Sequence, residues 1–253
     1  MIDRNIIISA LKENLIDLPY INALWLEGSD ANNTVDEYSD IDIWIDFNDE
    51  FESETFAAVE KILSDISPID YKYVTDHSHP KIRQNVYHLE NTSEYLMIDL
   101  CLQLHSRTEI ENIQFLNDDK IESPLVIFDK LNIIMFREYD KSDDKNYHQS
   151  LIDECIYRYT QHSRVYKYYH RKQYLECYIY YNKYVLEPLI LLLRILYTPA
   201  HTEYYMVHIS HHIPKEMYDK LEYFTIIPTF CDIYKKITEA REWYDELLSY
   251  LDK

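Results

Sequence analysis

The stretch that decides the fold lies early in the chain and reads Leu24-Trp-Leu-Glu-Gly-Ser-Asp-Ala-Asn-Asn-Thr-Val-Asp-Glu-Tyr-Ser-Asp-Ile-Asp-Ile-Trp-Ile-Asp-Phe47. One hydrophobic run ends at Gly28, and a second run begins at Asp40 after a polar loop. Because side chains alternate faces along a strand, Asp40 and Asp42 share one face and the isoleucines of this run share the other. The pattern predicts two strands joined by a loop, the second with a carboxylate face and an apolar face.

Two carboxylates this close on one strand repel each other unless a positive charge lies between them. Oxygen ligands on a rigid strand suit a hard cation such as Mg²⁺, which is usually completed by water and substrate phosphates. Gly28 allows close approach of the backbone to a ligand, and Ser29 adds a hydroxyl beside backbone N–H groups, a common way to hold phosphate. The alternative is an ordinary solvated acidic face, which is common in a chain with 45 Asp and Glu.

A third carboxylate follows on a later predicted strand, within the segment Glu94-Tyr-Leu-Met-Ile-Asp-Leu-Cys-Leu102. Its alternate positions carry leucine and isoleucine, which predicts a buried face, and Asp99 falls on the opposite face. The sequence therefore places Asp40, Asp42 and Asp99 on the polar faces of their strands.

This order of motifs, Glu27-Gly28-Ser29 and then Asp40-Ile41-Asp42-Ile43 with Asp99 on a later strand, resembles the nucleotidyltransferase superfamily that includes DNA polymerase beta. The resemblance implies an enzyme that transfers a nucleoside monophosphate from an NTP, expected to be ATP, to a hydroxyl group. It implies that Asp40, Asp42 and Asp99 bind Mg²⁺, and that Asp99 also accepts the hydroxyl proton, with Glu176 or Glu187 as the alternative base. Gly28 and Ser29 are expected to hold the β- and γ-phosphates.

The loop departs from the family at one point, since many relatives carry Arg-Gly after the Gly-Ser and this chain has Asn32-Asn33. The loop therefore lacks a cation for the triphosphate. The segments Arg171–Leu196 and Val207–Pro214 are similar to the helical domain of bacterial antibiotic-resistance nucleotidyltransferases of the aminoglycoside and lincosamide type. By that analogy Lys183 supplies the missing charge, and the alternative for Lys183 is an ordinary surface lysine.

Composition restricts the acceptor. The chain has 253 residues, 47% of them hydrophobic, and a formal net charge of −20. Nucleic-acid binding relies on clustered Lys and Arg, so this charge argues against a nucleic-acid substrate and favours a cationic small molecule. We expect a cytoplasmic monomer or homodimer without a membrane segment. The single glycine, Gly28, stands at the proposed phosphate loop.

Periodicity divides the chain into an α+β part and an all-α part. The first, residues 1–139, is the expected nucleotidyltransferase domain, a mixed β-sheet with flanking helices; the second, 147–253, is an expected helical bundle that binds substrate. In the first we predict helices over 3–16 and 49–65 and strands near 21–27, 40–47, 69–74, 82–89 and 95–102. In the second we predict helices near 147–171, 173–197, 215–224 and 228–252, after a polar linker over 140–146.

Several other interpretations remain open. His208, His211 and His212 have a spacing that can bind a transition metal on a helix, but Pro214 follows at once and a structural role is the alternative. Arg164 and His170 resemble the ribonuclease motif of helical HEPN domains. The acceptor could be a protein, as in nucleotidyltransferases of toxin–antitoxin type, or the chain could bind nucleotide without turnover.

Overall fold

The computed structural model describes residues 2–119, 121–140, 142 and 144–251. The chain divides into two compact units, Met1–Glu138 and Tyr139–Lys253. The first contains a six-stranded mixed sheet with helices, and the second has helices and no strand among its described residues. The predicted fold class is therefore confirmed.

The first unit contains three helices and eight strands among its described residues. The helices are α1 (Arg4–Leu15), α2 (Gly28–Asn32) and α3 (Glu52–Ile66). The strands are β1 (Ile21–Leu26), β2 (Ile41–Phe47), β3 (Ile69–Thr75), β4 (Ile82–Leu89), β5 (Ile98–Leu104), β6 (Ile113–Leu116), β7 (Leu125–Asp129) and β8 (Ile134–Arg137). Short 3-10 turns cover Asp49–Phe51 and His105–Arg107.

The main sheet has the strand order β3-β4-β5-β2-β1-β7. Only the central β2–β5 pair is parallel, and each other neighbouring pair in this sheet is antiparallel. A separate two-stranded parallel sheet joins β6 to β8. The sequence did not predict β6, β7 or β8, since these runs are short and partly exposed and carry no clear alternation.

The core of the first unit lies on the apolar face that the sequence predicted. Helices α1 and α3 pack their buried side chains against that face. The cluster includes Ile7, Leu11, Val59, Leu63, Ile41, Ile43, Ile45, Ile98, Leu100 and Leu102. Helix α1 begins at a proper cap, because the Asp3 carboxylate accepts hydrogen bonds from the N–H groups of Asn5 and Ile6. With both long helices on the apolar side, the carboxylate face of β2 and β5 is the opposite face of the sheet.

The second unit consists of α4 (Lys145–Thr160), α5 (Ser163–His170), α6 (Tyr174–Tyr181), α7 (Glu187–Tyr197), α8 (Ile209–His212), α9 (Lys215–Thr225) and α10 (Phe230–Leu251). Many of its tyrosines are packing residues, as in the stacked Tyr159–Tyr244 pair at 4.0 Å. A 3-10 segment, Pro199–Tyr204, follows α7.

Two of the predicted long helices are interrupted. The helix predicted over 147–171 is divided between Thr160 and Ser163. Within 173–197, the turn Asn182–Leu186 is π-helical. Pro188 explains the second break, because it lacks an N–H for the preceding turn and the π-turn rearranges those hydrogen bonds. No helix in the described part of the chain combines the length and apolarity needed to cross a bilayer.

Candidate functional site

The parallel β2–β5 pairing places Asp42 directly opposite Asp99. Cross-strand partners point to the same face and lie about 5 Å apart at Cβ. Asp40 stands one residue before β2 and is exposed, while Asp42 and Asp99 are half-buried. The structure thus brings together the three carboxylates that the sequence singled out.

Gly28 lies against this carboxylate pair at the turn from β1 into α2. Its φ is +60°, which is the left-handed region, and a Cβ atom built on it would lie 2.1 Å from Asp42 Oδ2. The neighbouring Glu27 N–H donates to the carbonyl oxygen of Asp42 at 3.1 Å. Both the backbone angle and the space therefore require glycine here.

The electrostatics of the cluster are unfavourable without a cation. Burial, together with the charges of Asp40, Asp99, Glu27 and Asp30, raises the pKa of Asp42 to about 7. A carboxylate surrounded by carboxylates is stabilised by a bound cation, and oxygen donors suit a divalent one. The donor chemistry of Asp40, Asp42 and Asp99 therefore fits a site for Mg²⁺.

Gln84 fixes the orientation of Asp99. Its side-chain amide, on β4, lies 2.8 Å from each carboxylate oxygen of Asp99. Burial raises the pKa of Asp99, and the hydrogen bond from Gln84 lowers it in part. Gln84 has no motif around it that would have indicated this role, because its position depends on the β4–β5 register.

Ser29 presents a polar atom without a partner. Its Oγ is buried and makes no hydrogen bond to any residue that the structure describes. A buried hydroxyl without a partner costs free energy unless it is satisfied by a ligand or water. This is consistent with the predicted contact to phosphate, which itself stays a prediction.

Glu27 is a further acidic group that the sequence motif contained without a role. Trp25 Nε1 donates to Glu27 Oε1 at 2.8 Å, and the Trp25 and Trp44 rings stack at 5.7 Å. Burial raises the pKa of Glu27, although the bond from Trp25 lowers it in part. Glu27 therefore adds another carboxyl group at the edge of the cluster.

Arg4 is a cation near the site that the sequence analysis missed. Its guanidinium reaches from α1 to the Asp30 carboxylate, with Nε 3.0 Å from Oδ1, and Nη2 donates to the carbonyl oxygen of Asp40 at 2.6 Å. Arg4 thereby ties the turn after β1 to the start of β2. Asn32, in the same turn, donates to the carbonyl oxygen of Ile121 at 3.1 Å.

Lys183 belongs to the second unit and is exposed, on the π-helical turn. Its Nζ lies 5.8 Å from the centre of the Tyr184 ring. Its predicted contact with phosphate stays a prediction.

The alternative residues of the second unit have structural partners. Glu187 is ion-paired with Arg158. His212 Nδ1 lies 2.9 Å from Arg194 Nη1. Burial and the nearby Arg194 charge together lower the pKa of His212 to about 4.

Comparison with known proteins gives a match to one family model and several structural neighbours. Residues 7–122 match the family model described as "Nucleotidyltransferase domain". No curated protein matches the sequence. Among solved structures, an aminoglycoside 6-adenyltransferase from Bacillus subtilis is similar over 96% of this chain and 86% of its own, with 13% identity and a TM-score of 0.39. A spectinomycin adenyltransferase from Enterococcus faecialis, solved with ATP and spectinomycin, is similar over 95% and 97%, with 12% identity and a TM-score of 0.32.

Proposed function

Because residues 7–122 match the family model of a nucleotidyltransferase domain, we propose that the chain is a Mg²⁺-dependent enzyme that transfers AMP from ATP to a hydroxyl group of a small molecule. The observation that carries the proposal is the in-register pair of Asp42 and Asp99 with Asp40 beside it. Such a cluster of carboxylates on adjacent strands suits a reaction in which phosphoryl charge must be neutralised.

Asp40, Asp42 and Asp99 would hold the metal. Bound Mg²⁺ would neutralise phosphate charge and lower the pKa of the attacking hydroxyl. In this proposal Asp99 acts as the general base. The Gln84 amide holds both oxygens of the Asp99 carboxylate in one orientation. The hydroxyl proton passes to Asp99 while the hydroxyl oxygen attacks the α-phosphorus, and the bond to pyrophosphate breaks.

The phosphates would lie along the turn after β1. Gly28 leaves room that any side chain would fill, and Ser29 Oγ is free to donate to a phosphate oxygen. Arg4 holds this turn by its bonds to Asp30 and to the Asp40 carbonyl. We propose Lys183 as a further phosphate contact.

The acceptor of this proposal is a cationic small molecule, such as an aminoglycoside-type antibiotic. The net charge of −20 supports it, since an acidic protein attracts cations and repels nucleic acid. Resistance to such an antibiotic would be the biological result.

The test is a screen for pyrophosphate release. Each of the four NTPs is incubated with Mg²⁺ and, in turn, with aminoglycosides, lincosamides and candidate protein acceptors. Asp42→Asn serves as the inactive variant. The matched control is Asp65→Asn, which changes an exposed aspartate on α3 that pairs with Lys61.

We expect pyrophosphate release from ATP in the presence of one class of small molecule. The wild type and Asp65→Asn should show this release, and Asp42→Asn should not. Label transferred from ATP to a protein band would identify a protein acceptor. Binding of ATP without release in any combination would show a nucleotide-binding module instead.

A further inference from the structure

The face of the sheet that carries the acids continues across β4 to the edge strand β3. In the strand registers, Asp42 lies opposite Asp99, Asp99 opposite Val86, and Val86 opposite Tyr73. Directly paired residues point to the same face of a sheet. One row of side chains therefore runs from the carboxylates through an apolar position to an aromatic ring.

A pocket of about 360 Å³ lies at the aromatic end of this row. It is lined by Tyr71, Tyr73, Val86, His88, Glu94 and Met97. Tyr71 and Tyr73 are 49% and 55% exposed, which is unusual for two large rings side by side on one strand face. Exposed aromatic faces of this kind stack on the apolar faces of sugar and cyclitol rings, and they attract cations.

The charge of the pocket favours a cationic occupant. Glu94 is exposed and is the carboxylate of the lining, and the lining contains neither Lys nor Arg. His88 is engaged by Asp70, with 2.7 Å between Nδ1 and Oδ1, and by the Ser93 carbonyl. The nearby Lys72 points to the other face of the sheet, where it pairs with Glu60. An amine is therefore better matched to this pocket than a phosphate.

We propose that this pocket, on the acid-bearing face of β3, β4 and β5, is the acceptor subsite and takes an amino-sugar or aminocyclitol ring. The inference rests on the function proposed above. Two strand spacings, about 10 Å, separate Tyr73 from Asp99. A molecule of two such rings bridges that distance, with one ring on the tyrosines and a hydroxyl of the other ring at Asp99. Val86 then forms the apolar floor between them.

Kinetics of two ring deletions test the subsite. Tyr73→Ala and Tyr71→Ala are compared with the wild type, with ATP and either kanamycin or spectinomycin as acceptor. Each deletion raises the KM for the acceptor about tenfold and leaves the KM for ATP within about twofold. Tyr73→Trp retains the ring and keeps the wild-type KM. The matched control is Val74→Ala, which alters an exposed residue of the same strand on its opposite face.

The outcomes separate the subsite from the function. Turnover with an unchanged acceptor KM in both tyrosine variants overturns the subsite and leaves the function standing. If no acceptor is turned over, kanamycin is titrated by calorimetry into the wild type and into Tyr73→Ala. Binding about tenfold weaker in the variant then supports the subsite without the function. Equal binding, or none to the wild type, overturns the subsite.

Discussion

Asp42 and Asp46 lie on the same face of the same strand, yet their surroundings are opposite. Asp46 is fully buried and accepts hydrogen bonds from Asn22 Nδ2 at 2.8 Å, Gln103 Nε2 at 2.7 Å and His105 Nδ1 at 2.8 Å. The Asp42 carboxylate accepts no hydrogen bond from the described residues, and the negative charges of Asp40, Asp99, Glu27 and Asp30 act on it.

The contrast shows that the partners of an aspartate, and not its position on the strand, decide its role. Burial raises the pKa of Asp46, and the bonds from Gln103, Asn22 and His105 lower it in part. At Asp42 burial also raises the pKa, and the charges of Asp40, Asp99, Glu27 and Asp30 raise it too. The Asp46 end of β2 is thus a satisfied structural network, whereas the carboxylate at the Asp42 end has no hydrogen-bond donor among the described residues.

The largest expected difference between the two ends is in activity. Asp42→Asn removes a proposed metal ligand, so pyrophosphate release should fall at least about thousandfold. Asp46→Asn touches no part of the proposed site, and its activity per folded molecule should stay within about threefold of the wild type. Pyrophosphate release at saturating Mg²⁺ measures both. Equal losses in the two variants would contradict the division of roles.

Stability should show the reverse order. In Asp46→Asn the new amide N–H group faces the donors from which the carboxylate accepted hydrogen bonds. The free energy of unfolding should therefore fall by about 2 kcal/mol. Urea unfolding followed by circular dichroism measures the change. Asp65→Asn, at an exposed position, should change stability by less than about 0.5 kcal/mol. If Asp46→Asn lowers the free energy of unfolding no more than the Asp65→Asn control does, the network does not stabilise the fold.

Gly28→Ala tests the close approach beside Asp42. The added Cβ would meet Asp42 Oδ2 at 2.1 Å on a backbone with φ +60°, so the carboxylate must move. We expect kcat/KM for ATP to fall about tenfold. The stability loss from Gly28→Ala should also be smaller when Asp42 is already alanine, because the clash is then relieved. A loss that is the same in both backgrounds would assign the effect to the backbone angle alone.

The smallest expected effect is a pH-dependent gain in stability. The pKa of Asp42 is raised from 3.8 to about 7, so its ionisation costs stability that grows as the pH rises between these values and then levels off. Without metal, Asp42→Asn should therefore be more stable than the wild type by about 1 kcal/mol at pH 8, with a smaller difference at pH 5. Thermal unfolding with a chelator measures this, and added Mg²⁺ should cancel the gain at pH 8. A gain of equal size at both pH values would point to a cause other than ionisation.

The alternation of apolar and polar residues in the sequence predicted much of this arrangement. Alternation assigned β2 and β5 and placed Asp42 and Asp99 on their polar faces, because one buried face is enough to set the phase of a strand. By the same alternation Asp46 shares the face of Asp42, and the pattern cannot distinguish an acid with hydrogen-bond donors from one without them. That distinction depends on Gln103 and His105, which are distant in sequence from Asp46.

The contributions of Arg4 and Gln84 could not be predicted for the same reason. Arg4 reaches the site only because α1 packs on the sheet. Gln84 reaches Asp99 only because of the register in which β4 pairs with β5. Glu27 stands directly before Gly28 in the motif, but its burial and its bond from Trp25 depend on the fold.

The parallel pairing of β2 with β5 also has a consequence for folding kinetics. It joins residues 57 positions apart, with α3, β3 and β4 between them. The chain must close this long loop before Asp42 meets Asp99, so the pairing forms late relative to the local β3–β4 hairpin. At neutral pH the approaching carboxylates repel each other, which slows this last step, and a divalent cation or a lower pH would speed it. The feature that equips the domain for chemistry thus also limits how fast it can reach its native state.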